Sequence, residues 1–168
     1  MLQHQGVDYL AVAFADEGVL LRERGITMPV VVLNADADSF DQMIANRLEP
    51  EIYSFRSLAD FADAVSHAGE TRYPVHIKLD TGMHRLGFME GEIGRLCEVL
   101  PTLPAVKVAS VFSHLNCADM PEEDAYTREQ IARYDRMSAA VAASLPYSVI
   151  RHTANSAAIE RFPEARFD

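Results

Sequence analysis

Lys78-Leu79-Asp80-Thr81-Gly82-Met83-His84-Arg85-Leu86-Gly87 is the stretch on which the reading of this chain turns. It leaves an apolar, β-branched run at 75–79 and contains two glycines and a threonine, so it reads as a strand passing into a loop. The loop delivers a lysine, an aspartate, a histidine and an arginine to one strand end. Lys78 is one of only two lysines in the chain, the other being Lys107. A lysine late in a buried strand is costly unless it is paired or chemically altered. Two readings stay open on the residues alone: a local Lys78–Asp80 contact in a solvated loop, or a functional group in a perturbed site.

Outward from this loop, short β-branched runs alternate with amphipathic stretches. The pattern predicts strands over 7–13, 30–33, 51–54, 75–79, 106–112 and 147–151. Helices are predicted over 16–24, 40–46, 58–68, 91–103, 122–144 and 156–161. Gly25 and Gly69 stop two helices, Ser57 caps the third, and Pro146 marks the end of the longest. Repeated βα units imply a parallel sheet with right-handed crossovers, in one domain over 1–168. An open doubly wound sheet and a closed eight-stranded barrel both satisfy the pattern. Six units in 168 residues average about 28 residues each, near the roughly 31 of a ~250-residue barrel of eight. If the fold is a barrel, two units lie outside the sequence, and the exposed strand edges invite association or rearrangement.

Composition narrows the partners. Hydrophobic residues make up 49% and charged residues 24%, as in an ordinary globular protein. The formal net charge of −10 disfavours broad binding to nucleic acid or an anionic membrane, though not one local anion site. Cys97 and Cys117 are too sparse for a disulfide framework and read as reduced thiols in the cytoplasm. No run is long enough to span a bilayer, and the N-terminus lacks a signal-peptide pattern.

Ligands of parallel α/β folds gather at the carboxyl ends of the strands, and two further junctions lie there. Phe112-Ser113-His114-Leu115-Asn116-Cys117-Ala118-Asp119 places an imidazole just past a strand, where it can be a satisfied structural group or a proton donor and ring-stacking partner. His114, Cys117 and Asp119 lack a second cluster to complete a metal site, so no metal is expected. His152-Thr153-Ala154-Asn155-Ser156-Ala157-Ala158 opens a helix. Asn155 or Ser156 there can simply cap the helix, and the same exposed N–H groups can hold a phosphate.

Taken in order, these junctions resemble the alanine racemase family of fold-type III pyridoxal-phosphate enzymes. The matching segments are Leu10-Ala11-Val12-Ala13 with Asp16-Glu17, then Lys78-Leu79-Asp80-Thr81-Gly82-Met83 with Arg85-Leu86-Gly87. Ser113-His114, Ala154-Asn155-Ser156-Ala157-Ala158 and Arg161-Phe162-Pro163 complete the set. The resemblance implies an α/β fold, a partial (β/α)8 TIM barrel of about six βα units without its first and last strands. It also implies a parent enzyme, an isomerase of bacterial cytoplasm that interconverts L- and D-alanine for peptidoglycan synthesis and works as a homodimer. By the same resemblance Lys78 is the position often carbamylated, and Arg85 faces the cofactor's phenolic oxygen and the substrate. His114 packs on the pyridine ring, while Asn155 and Ser156 lie at the phosphate end, Ser156 in direct contact.

The departures set the limits of the resemblance. Neither lysine matches the family's Schiff-base lysine, which is expected upstream of Met1. The tyrosine base is expected in a later β domain, and the arginine at the pyridine nitrogen just beyond a segment like Arg166-Phe167-Asp168. The 168-residue chain alone is therefore expected to be inactive. His84 stands where the family loop commonly has glycine. Alternatives are another fold-type III racemase or decarboxylase, a non-catalytic pyridoxal-phosphate barrel, or an open-sheet binding module.

Overall fold

The computed structural model describes residues 2–168. Its six strands hydrogen-bond in chain order, β1 (Leu10–Val12), β2 (Val30–Val32), β3 (Glu49–Ile52), β4 (Tyr73–Lys78), β5 (Val106–Phe112) and β6 (Ile150–His152). The registers of β1 with β2, β2 with β3 and β5 with β6 are parallel, as connection through intervening helices requires. Those helices are α1 (Ala15–Glu23), α2 (Phe40–Ala45), α3 (Phe55–His67), α4 (Ile93–Val99), α5 (Asp124–Ala143) and α6 (Ser156–Arg161). The chain packs as two compact units: the stretch up to His76 with Pro104–Lys107, and Ile77–Leu103 with Val108–Asp168.

In the first unit, Val30, Val32 and Ile52 are wholly buried, as a strand covered on both faces demands. The buried apolar residues of α3, namely Leu58, Phe61, Ala62 and Val65, recur at one helical stripe. Phe61 meets Phe40 and Tyr73 edge-on, with ring centroids 5.0 and 5.4 Å away. The buried Tyr73 hydroxyl contacts the carbonyls of Leu48 at 3.0 Å and Met43 at 3.2 Å. Arg22 serves four carbonyls at the ends of α1 and α2: those of Ile26, Met28, Asn46 and Arg47, at 2.7–3.0 Å. Helix C-termini leave carbonyls without partners, and one guanidinium with five donors supplies several of them at once.

In the second unit, Leu79, Phe88, Leu96, Val108, Val111, Tyr134 and Val141 form the buried interior. Leu115, Ala118, Ile131, Ala158, Phe162 and Ala165 form a cluster that seats α6. Phe162 is enclosed by two guanidinium groups, Arg128 at 5.1 Å and Arg161 at 5.3 Å from its centroid. Arg128 is ion-paired with Glu164, and Arg161 with Asp124 at 2.6 Å.

All six strand–helix units appear, but several boundaries move. The third strand is Glu49–Ile52 rather than 51–54 because Ser54 is needed as the N-cap of α3. Ser57 is therefore not the cap but the third helical residue. The Ser54 hydroxyl accepts from Ser57 N–H at 3.1 Å, and Ser57 Oγ accepts from Ser54 N–H at 3.2 Å. That reciprocal pair is a capping box built from two serines. The first strand shrinks from 7–13 to Leu10–Val12, with Val7 exposed. The sixth shifts from 147–151 to Ile150–His152, while the Tyr147 hydroxyl accepts from Val108 N–H at 3.1 Å. Pro101 confines the regular part of the fourth helix to Ile93–Val99, with a 3-10 turn over Leu100–Thr102.

Ser54→Ala removes the acceptor at the α3 N-terminus while leaving Ser57 in place. Urea denaturation is expected to show a loss of about 1 kcal/mol, the usual worth of a serine cap, and an unchanged midpoint would rule the cap out as a contributor.

Candidate functional site

The three strand-end loops singled out from sequence all belong to the second unit. Lys78 ends β4 and is 6% exposed, its Nζ lying 5.5 Å from the centroid of the Phe112 ring. On Phe112 the imidazole of His152 stacks nearly parallel, at 5.2 Å and 2°. His152 Nε2 is 3.2 Å from Ser110 Oγ. The last turn of β5 thus carries an aromatic platform with a buried cation on it and an imidazole against it.

Beyond Lys78 the chain folds back on the strand it has just left. Phe88 N–H donates to the Lys78 carbonyl and Asp80 N–H to the Phe88 carbonyl, both at 2.9 Å. Gly87, at φ +133, sits in this return, where a Cβ would lie 2.5 Å from Asp80 N. Only glycine fits there. The Asp80 carboxylate works inside the loop: one oxygen accepts from Gly82 N–H at 2.9 Å and His84 N–H at 3.0 Å. Its other oxygen is 3.4 Å from His84 Nδ1. Residue 84 has φ +54, a left-handed conformation that favours glycine, and the carboxylate contacts fasten a histidine into it. Arg85 follows at once, exposed on the loop.

The second loop is tied to the first. Ser113 Oγ donates to the Leu79 carbonyl at 2.8 Å and lies 2.8 Å from Thr81 Oγ1. A serine hydroxyl has one hydrogen, so Thr81 is the donor of the second bond. This buried pair seats His114, which is partly buried. The pKa of His114 is held below the ordinary 6.5, first by burial, then by the positive charges of Arg85 and Lys78. His114 is thereby kept neutral at pH 7, able to donate from one nitrogen and accept at the other.

The third loop is joined to the second through Asn155. Its Nδ2 donates to the Leu115 carbonyl at 2.8 Å, while its Oδ1 accepts from Ala158 N–H at 3.0 Å. Both ends of the side-chain amide are thus engaged, as the α6 N-cap and as a loop tether. Ser156, the first residue of α6, exposes its side chain to solvent. Just upstream, Thr153 Oγ1 is buried without a hydrogen-bond partner.

Lys78, Arg85 and His114 therefore share one neighbourhood, and Asn155 is bonded to the residue following His114. Sequence reasoning missed Asp80 as the organiser of the loop and Ser113 as its link to β5. The only signal for either was its position beside a residue already singled out.

The family model for the alanine racemase N-terminal domain matches residues 1–168. Over 167 residues the chain is 38% identical to the alanine racemase of Symbiobacterium thermophilum, covering 97% of this chain and 43% of that protein. It is 37% identical to the alanine racemase of Desulfovibrio desulfuricans, covering 97% and 44%. The solved alanine racemase of Clostridium difficile 630 superposes with a TM-score of 0.90 at 33% identity, over 99% of this chain and 44% of that one. The same enzyme has been solved in complex with cycloserine, with the same TM-score. The chain spans less than half the length of these relatives. The likeness also decides the architecture left open by composition, in favour of the (β/α) barrel strands and helices of that domain.

An imidazole whose pKa is lowered on folding takes up its proton less readily in the native state. The stability it contributes is complete above 6.5 and is lost as pH falls through the native value. An NMR titration of His114 is expected to give a midpoint below 6.5, and Arg85→Met to raise it by removing a nearby cation. A midpoint that ignores the arginine would break the shared neighbourhood apart.

Proposed function

The chain belongs to the alanine racemase N-terminal-domain family, and on that premise we propose that it is the cofactor-cradling part of an enzyme interconverting L- and D-alanine. The cofactor in this reading is pyridoxal 5'-phosphate and the substrate is free alanine. The parent enzyme is a homodimer of the bacterial cytoplasm that feeds peptidoglycan synthesis. The observation that carries the reading is that the three strand-end loops are tied together, Ser113 to Leu79 and Thr81 and Asn155 to Leu115, around His114. In a chain of net charge −10, two cations around one neutral imidazole make a local site for a flat, phosphorylated anion.

The residues present fit that cofactor. Ser156 offers an exposed hydroxyl at the phosphate end, and Thr153 keeps an unpartnered buried hydroxyl just before it. His114 would lie against the pyridine ring as a neutral group, which neither repels a cation nor needs a counter-charge. Arg85 would hold its fixed positive charge towards the phenolic oxygen and the substrate carboxylate. Asn155 acts through position, because both ends of its amide are engaged in keeping Ser156 in place. Lys78 stands buried at the strand end below this loop, and carbamylation there would exchange its cation for an anion able to pair with the arginine. When bound, pyridoxal phosphate supplies the electron-accepting ring that makes the α-hydrogen of alanine labile. The bases that remove and return that proton are a lysine and a tyrosine that no residue of this chain matches.

The full-length enzyme mixed with pyridoxal phosphate and L-alanine is expected to form D-alanine, and the 168-residue chain alone to form none. Arg85→Met in the full-length enzyme is expected to lower kcat about 100-fold, the loss typical of removing one preorganised charge from a site. Turnover by the short chain alone, or an arginine variant as fast as the unaltered enzyme, would contradict this assignment.

A further inference from the structure

Helix α5 does more than cover the sheet. Its buried residues Ile131, Tyr134, Met137 and Val141 pack in the ordinary way. Tyr126, Gln130 and Arg133, at i, i+4 and i+7, instead form a polar stripe directed at loop backbone. The Tyr126 hydroxyl donates to the Gly82 carbonyl at 2.6 Å, and Arg133 Nη1 donates to the Thr81 carbonyl at 2.8 Å. Gln130 Nε2 makes a long 3.5 Å contact with the His114 carbonyl. The stripe therefore addresses both loops that carry the cationic neighbourhood.

The grip also reaches the far side of the first loop. Arg133 Nε lies 3.7 Å from Glu90, and Arg136 Nη2 is 3.2 Å from the same carboxylate. Glu90 stands three residues past Gly87, so α5 holds the loop before and after the Arg85 turn. A Cβ at Gly82 would collide with the Tyr126 hydroxyl. The tyrosine in this position therefore calls for a glycine at 82. Asp80 organises the turn from within; the helix fixes where that turn stands.

We infer that Tyr126 and Arg133 are positioning residues for Arg85, setting the loop backbone from which the guanidinium reaches its site. The inference rests on the cofactor-cradle reading for its catalytic consequence, but not for its structural one. Arg85 stands exposed on a loop of left-handed and glycine residues, so where it stands follows the path of the loop backbone. Its direction is inherited from the peptide units at 81 and 82, and those are held by α5.

The test uses the full-length enzyme with Tyr126→Phe, Arg133→Met and Arg133→Lys, and with Glu129→Gln, at an exposed α5 residue, as control. Amide hydrogen exchange is read at 81–87 and at Val30–Val32, alongside kcat, KM and the absorbance spectrum of added pyridoxal phosphate. Loss of one such bond is expected to speed loop exchange about fivefold, and more for Arg133→Met, which loses a charged donor. Exchange at Val30–Val32 stays as in the unaltered enzyme, which separates positioning from general destabilisation. In the same variants kcat/KM for alanine falls about tenfold, and Arg133→Lys recovers part of it. Glu129→Gln matches the unaltered enzyme throughout. Unchanged loop exchange in both Tyr126→Phe and Arg133→Met overturns the inference, and so does faster exchange with kcat/KM untouched. An unaltered enzyme that takes up no pyridoxal phosphate overturns the cofactor reading instead, and loop exchange then decides the positioning alone.

Discussion

The candidate site depends on one backbone constraint: after Lys78 the chain must return to the strand end it has just left. Two reciprocal hydrogen bonds, between Phe88 and Lys78 and between Asp80 and Phe88, close the return. They bring the backbone at residue 87 so near Asp80 that no side chain can stand there. From that closure follow the crest at residues 83–86, the exposure of Arg85 and the inward turn of the Asp80 carboxylate. The two glycines of the loop answer different demands. Gly87 gives room to backbone, whereas Gly82 gives room to a side chain on α5.

Electrostatics builds on this geometry. The chain is strongly acidic overall, yet Lys78 and Arg85 both bear on His114, where burial already disfavours a proton. The three effects act in one direction, so the imidazole is neutral without needing a fixed partner. A buried histidine in the first unit follows another plan. His76 Nε2 lies 2.8 Å from Glu49 Oε2, with Tyr9 edge-on to its ring at 5.5 Å. There a carboxylate faces the imidazole directly and joins β3 to β4.

Much of this was legible in the amino-acid sequence, because alternating apolar runs, helix-stopping glycines and strand-end loops are local signals. Gly25 and Gly69 do adopt positive φ just beyond α1 and α3. The displaced boundaries arose where two adjacent residues could play one part: Ser54 and Ser57 are both plausible caps, and only the path of the backbone selects between them. Asp80 was read as a possible partner for Lys78, and the pattern gave no sign that one of its oxygens also serves the peptide groups of Gly82 and His84. The work of Tyr126 and Arg133 left no trace in residue pattern, since a bond to a carbonyl constrains the donor and says nothing about which residue accepts. The loop positions proposed for chemistry were thus visible by residue type, and the supports behind them were not.

Arg22 carries a consequence of its own. Its guanidinium is satisfied by neutral peptide oxygens, so dissolved ions have little opposing charge to mask. The arginines that brace the other unit, among them Arg128, Arg151 and Arg161, lean on carboxylates near the solvent. Concentrated brine therefore weakens one set of braces and spares the other. In a halophilic setting the Arg22 clasp would hold its strength while those surface ion pairs faded.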